Sequence, residues 1–181
     1  MTVPPAAVRL YTALTPGLRA EVGAVYAEVR APLLDHPNYQ VPVFLERLDR
    51  HASERGWAVA VAYGEGGQAV GYAYANTIGP ADRWWKRMAA PVAAPFTGQD
   101  AVAVKEIGVA PAHRGTGLAR QMHDGLLADR AELYVTLMVN PAAGDGKVMR
   151  LYEGWGYREI GGVQPSPESP WLVCMGRPTR V

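Results

Sequence analysis

Between Val104 and His123 the sequence runs from a strand through two closely spaced glycines into a helix. Val104, Ile107 and Val109 are β-branched strand formers. Pro111 ends the strand, because proline lends no N–H to a ladder. Gly115 and Gly117 permit a sharp turn and let a ligand come close to the backbone. From there on, Leu118, Met122 and Leu126 recur at helical spacing. A helix opened by glycines leaves its first N–H groups unpaired, with the positive end of the helix dipole behind them. Such a turn suits an anion, best a phosphate or pyrophosphate. The loop fits neither GxxxxGKS/T nor GxGxxG, which argues against a nucleoside-triphosphate P-loop and a dinucleotide site.

The rest of the chain supplies a sheet and helices for this turn to sit in. Val8 to Leu14 reads as a strand, and Thr15-Pro16 as a helix start, with Thr15 capping and Pro16 in the first turn. Val22, Val25, Tyr26 and Val29 give that helix an apolar face, and Pro32 breaks it. Residues 33–42 form a loop, and Phe44, Leu45 and Leu48 mark a second helix running to about Gly56. Trp57 to Tyr63 and Ala69 to Ile78 make a hairpin about Glu65-Gly66-Gly67. Gly71 marks a bulge or a close backbone approach. Leu133 to Val139 alternates as a strand. Lys147 to Trp155 reads as a helix with Val148, Leu151, Tyr152 and Trp155 in one stripe, ended by Gly156. Tyr157 to Gly162 and Trp171 to Met175 are the last two strands. Residues 79–100 hold Trp84, Trp85 and several prolines, and fit either a helical lid packed on the sheet or one wall of a substrate pocket.

Composition narrows the classes. With 181 residues, 49% hydrophobic and 19% charged, the chain suits one domain, residues 1–181, with a sizeable core. A net charge of +1 gives no electrostatic case for nucleic acid or an anionic membrane. The first ten residues lack a signal-peptide layout, and no apolar run is long enough to span a bilayer, so a cytoplasmic location is expected. Cys174 is the only cysteine and lies in an apolar run, where it reads as a small buried hydrophobe. The four histidines, read as exposed at His36, His113 and His123, have no metal-site spacing, and no metal is expected.

Arg114-Gly115-Thr116-Gly117-Leu118-Ala119 resembles the R/Q-x-x-G-x-G/A signature of the GCN5-related N-acetyltransferases, the GNAT superfamily. Glu106 to Pro111 is similar to that family's fourth strand. The order strand, two helices, three strands, helix, strand, helix, two strands also matches over nearly the whole chain. The resemblance implies an α/β (α+β) fold: a mixed, mostly antiparallel sheet of about seven strands flanked by helices, whose fourth and fifth strands splay apart where acetyl-CoA enters. It implies that main-chain N–H groups from Gly115 through Thr116, Gly117, Leu118 and Ala119 to Arg120 hold the pyrophosphate. Arg114 and Arg120 are candidates for charged contacts, although Arg120 reads rather as a solvated helix charge. Ile107, Gly108 and Val109 would line the pantetheine arm, with an N–H near Val109 polarising the thioester carbonyl.

Leu151-Tyr152-Glu153-Gly154-Trp155-Gly156-Tyr157 resembles the family's second signature, (L/F)-Y-x-x-x-G-(F/Y). It makes Tyr152 the candidate acid for the departing thiolate; the alternative is a core tyrosine. The asparagine that the family often carries seven residues before this tyrosine is Asp145 here. An amine attacks only when neutral, so a base is needed. Glu106 is the candidate, and it reads equally as a sheet-face carboxylate paired with an arginine. Strand alternation puts Glu106 and Gly108 on one face. Asp35, His36, Tyr39, Asp82, Trp84 and Trp85 lie on the two segments that usually shape the acceptor pocket in this family, with Tyr39, Trp84 and Trp85 the leading substrate contacts.

The expected activity is acetyl-CoA-dependent transfer of an acetyl group to a small-molecule primary amine by direct attack in a ternary complex. A catalytically silent CoA-binding module and a toxin-type acetyltransferase of aminoacyl-tRNA are the alternatives; the near-neutral charge argues against the latter. A homodimer is compatible with the sequence. The acceptor itself is not legible in it.

Overall fold

The computed structural model describes residues 7–180. Its strands are β1 (Ala7–Tyr11), β2 (Ala58–Tyr63), β3 (Ala69–Ile78), β4 (Ala101–Val109), β5 (Tyr134–Val139), β6 (Arg158–Val163) and β7 (Leu172–Pro178). Its helices are α1 (Pro16–Val29), α2 (Val41–Ala52), α3 (Arg83–Lys86), α4 (Leu118–Leu127) and α5 (Lys147–Gly154). The strands make one sheet in the order β1-β2-β3-β4-β5-β7-β6. β2 runs antiparallel to β1 and β3, and β7 antiparallel to β5 and β6. β4 is parallel to β5, and their ladder spans Val102 to Val104. This is the mixed, mostly antiparallel, seven-stranded sheet that the family resemblance implied. Two compact units divide the chain: one reaches Asn76 and resumes over Glu106–Asp129, the other comprises Thr77–Lys105 and the residues from Arg130 on.

In the first unit, the Thr15 hydroxyl accepts the Leu18 N–H at 3.2 Å and Pro16 opens α1, as the Thr-Pro pair predicted. α2 starts earlier than expected, at Val41, because Pro42 falls in the first turn, where an N–H has no helical partner to lose. Val22, Val25 and Tyr26 of α1 join Phe44 and Leu48 of α2 in a core with Val59, Val61, Tyr72 and Tyr74. Tyr26 and Phe44 stack with ring centres 3.8 Å apart. α4 packs on β1 and β2. Gly71 proves to lie beside a bulge, where the register skips Val70, and to be a close approach. The register shifts opposite it, between Ala62 and Tyr63. A Cβ there would lie 2.9 Å from Met122 Cε and 3.3 Å from the Gly108 carbonyl oxygen.

One expectation is corrected in this unit. His123 is fully buried rather than exposed, on the face of α4 that also buries Met122, Leu126 and Leu127. Its Nδ1 lies 3.0 Å from an Asp124 carboxylate oxygen.

The second unit is built around the segment that carries the two tryptophans. Asp82 accepts the Trp84 N–H at 2.8 Å and starts α3. Trp84, Trp85, Met88 and Val92 then pack with Ile78, Ala101, Ala103, Val163 and Cys174. Glycines on β6 and β7 make the room: a Cβ on Gly161 would lie 3.0 Å from Val92, and one on Gly176 2.6 Å from Phe96. Cys174 is buried, and burial, partly offset by the Thr136 hydroxyl 3.3 Å away, pushes its thiol up to about 11. The expected stripe on α5 is not a buried face: α5 buries no residue, and Leu151 is 46% exposed. Trp155 alone of the four is buried, because it sits at the cap, where the chain turns away through Gly156 at φ 90°.

Candidate active site

β4 ends at Val109, and a short turn over Pro111–His113 leads into the glycine loop. Gly115 (φ 75°) and Gly117 (φ 84°) are both left-handed, a conformation that costs other residues about 1–2 kcal/mol. Gly117 is the N-cap of α4 and offers no side chain to cap it. Because α4 begins at Leu118, the N–H groups of Leu118, Ala119 and Arg120 have no carbonyl four residues back within the helix. Residues 114–117 are exposed, so this helix mouth faces solvent. The Thr116 hydroxyl donates to the His113 carbonyl at 2.6 Å, and Arg114 Nε donates to the Val109 carbonyl at 3.2 Å. Both brace the turn against the end of the strand. Arg120 donates to both Asp124 oxygens, at 2.9 and 2.7 Å.

Glu106 lies three residues before the end of β4, with its side chain 10% exposed. Tyr72 donates its hydroxyl to Oε1 at 3.0 Å. Arg47 Nη2 donates to Oε2 at 3.3 Å, and Arg30 Nη2 stands 3.7 Å from Oε1. The arginine-paired alternative for Glu106 is thus present, with two arginines instead of one. Burial is the largest single influence and opposes the Arg47 cation, but Glu106, Tyr74 and Tyr26 together outweigh it and raise its pKa above the usual arginine value. Burial, reinforced by Glu106, drives the Tyr72 phenol well above its ordinary value, so it remains a donor. Gly108 shares the face of Glu106, as alternation predicted. A Cβ on Gly108 would lie 2.8 Å from Tyr72 Cε1, so the glycine is what lets the Tyr72 ring reach Glu106.

Arg30, Arg47 and Tyr72 escaped the sequence reading. A signal was present: Arg30 falls four residues after Tyr26, and Arg47 three after Phe44, so each shares a helix face with a core aromatic. Tyr39, a candidate substrate contact, belongs to the same cluster. It is half-buried, its carbonyl accepts the Tyr26 hydroxyl at 3.0 Å, and the Arg30 guanidinium sits 5.5 Å above its ring.

In the second unit, Tyr152 is half-buried on α5, with its ring edge-on to Trp155 at 5.3 Å and to Tyr157 at 6.0 Å. Its carbonyl accepts N–H groups from Trp155 at 2.9 Å and Tyr157 at 3.1 Å, which ties the tyrosine to the Gly156 turn. The loop before α5 has a shape of its own: Gly144, Asp145 and Gly146 are left-handed in succession, and Arg150 donates to the Asp145 carbonyl at 3.2 Å. Trp84 and Trp85 are buried in the core of this unit, with Lys105 Nζ 4.6 Å from the Trp84 ring. Among the described residues, no group of three or more His, Cys, Asp or Glu side chains could hold a metal ion. No helix among them is long and apolar enough to cross a membrane.

Comparison with known proteins shows the family and the fold. The model of the acetyltransferase (GNAT) family matches residues 22–157. An acetyltransferase from Thermus thermophilus has a similar structure, with a TM-score of 0.64 at 16% identity over 95% of this chain and 97% of that one. A histone acetyltransferase HPA2 and related acetyltransferase from Corynebacterium glutamicum gives 0.65 at 17% identity over 96% of each chain. A chimera of the Vibrio cholerae spermidine N-acetyltransferase gives 0.61 at 17% identity over 95% of each. No curated protein sequence matches.

Proposed function

We propose, given that the chain belongs to the acetyltransferase (GNAT) family, that it transfers an acetyl group from acetyl-CoA directly to a primary amine of a small molecule. Acetyltransferase activity and an acyl-CoA co-substrate come with the family. The acetyl group, the class of acceptor and the residue roles are our own reading.

The observation that carries this reading is the solvent-facing mouth of α4, opened by a left-handed Gly117 that supplies no cap. Its first main-chain N–H groups, from Gly115 to Arg120, hold the pyrophosphate, with the helix dipole behind them. Arg114, exposed beside them, adds a charge-assisted contact. Ile107, Gly108 and Val109 carry the pantetheine arm on main-chain groups. Support comes from β4, which runs on to Val109 and so keeps these three residues on the strand.

In the reaction, the amine nitrogen attacks the thioester carbonyl carbon while an N–H near Val109 stabilises the developing oxyanion. A free lysine-type amine has a pKa of about 10.4 and must first lose a proton. Glu106 takes that proton through water. The C–S bond then breaks and Tyr152 protonates the thiolate. Tyr39, half-buried beside Arg30, contacts the acceptor. Trp84 and Trp85, buried in the core of their own unit, support the segment that carries them. A small amine agrees with what the name of the spermidine N-acetyltransferase says of that protein.

The test is thiol release from acetyl-CoA with a panel of primary amines. At least one amine is expected to give enzyme-dependent release. Tyr152→Phe should then lower kcat by about 10²–10⁴-fold with little change in CoA affinity. Equal turnover in that variant removes Tyr152 from the mechanism, and silence across the panel overturns acetyl transfer to small amines.

A further inference from the structure

We propose that Arg30 receives an anionic group on the acceptor, so that the acceptor is an amine that also carries a carboxylate, of the amino-acid class. The proposal rests on the acetyltransferase reading above and narrows its substrate.

Charge is the first ground. Two arginines face one carboxylate: Arg47 and Arg30 converge on Glu106, and Tyr72 already occupies one of its oxygens. The cluster therefore keeps one cation in excess. The two arginines are also held differently. Arg47 donates to Glu106 at 3.3 Å, lies 5.5 Å above the Phe44 ring and is drawn on by the hydroxyls of Tyr26 and Tyr74, so it belongs to the scaffold. Arg30 stands 3.7 Å from Glu106, beyond a charge-assisted hydrogen bond. Its side chain is 35% exposed, yet its Nε is buried with no hydrogen-bond partner among the described residues.

A guanidinium presents five donors in a planar fork that matches a carboxylate. Here that fork is oriented by the Tyr39 ring beneath it and has donors to spare. An orphaned buried donor is a cost that a bound acceptor atom removes. Position agrees with this use. Arg30 caps α1 at the start of the segment that holds Tyr39, and Glu106, the proposed proton acceptor, lies beside it. A zwitterionic amine would present its carboxylate to Arg30 and its ammonium to Glu106.

The test uses the full chain and acetyl-CoA with matched acceptors: amino acids of increasing length, each against its carboxamide, with aminoalkyl phosphates as a third arm. The wild-type protein should favour the carboxylate over the amide at least about tenfold in kcat/KM, the discrimination expected when a site built for a polar group is left unpaired. Arg30→Gln should cut that ratio at least about tenfold, and Arg30→Lys, which keeps the charge without the fork, should restore part of it. Equal rates for acid and amide, an unchanged ratio in Arg30→Gln, or a preference for the phosphates would overturn the assignment. A second arm needs no turnover: the preferred amino acid should raise the Tm of the wild-type protein and not that of Arg30→Gln. No thiol release with any amine counts against acetyl transfer; no Tm shift with any amino acid counts against Arg30.

Discussion

Asp124 accepts hydrogen bonds from Arg120 and lies against the buried ring of His123. Burial alone would raise its pKa, but these two donors outweigh burial and hold it below the usual aspartate value. A carboxyl with a depressed folded pKa stabilises the fold above its unfolded pKa, and that stability is lost as pH falls through the folded value. Asp124→Asn should therefore destabilise the fold at neutral pH, by less than about 1 kcal/mol for so exposed a pair, and lower its Tm. The gap should close as the pH is taken below about 3.9. Thermal melts of both proteins across pH check this; a gap that stays constant into acid would show that Asp124 contributes through packing instead. His123 illustrates a limit of reading residues one at a time. Its type suggested exposure, and only its place beside Met122 on α4 puts it in the core. Glu106 was legible as a candidate, but its partners lie 34 and 59 residues away for Tyr72 and Arg47, and no local pattern joins them.

Elements were more legible than their tertiary roles. Thr15-Pro16 set the start of α1, Pro111 the end of β4, and Gly156 the stop after α5, because each depends on local backbone chemistry. The stripe on α5 failed because helical periodicity does not say whether anything packs against it. Residues 79–100 were ambiguous because their packing depends on Gly161 and Gly176, far along the chain. β4 is the strand that joins structure to chemistry. Gly108 leaves space for the Tyr72 ring, which in turn donates to Glu106. Gly108→Ala forces a Cβ to 2.8 Å from a fully buried ring. Over-packing of this kind costs about 1–3 kcal/mol. Denaturant melts should show that loss, together with reduced turnover as Tyr72 leaves Glu106. Unchanged stability would mean that the ring yields freely.

For the molecule as a whole, the proposed function depends on one ligand captured at one helix. Acetyl-CoA bound to the folded state should stabilise it by about 2.7 kcal/mol at a hundred times its Kd. In the proposed site, a carboxylate placed at Gly117 would oppose the pyrophosphate where the first N–H groups of α4 converge. Any side chain at this left-handed position carries a backbone cost, so Gly117→Ala is the companion that bears the strain without the charge. Calorimetric titration of acetyl-CoA into wild-type, Gly117→Ala and Gly117→Glu proteins, each confirmed folded by its own melt, tests the account at its centre. The expected result is saturable binding to the wild-type protein, weaker binding to Gly117→Ala and none to Gly117→Glu; equal affinity in all three would contradict it.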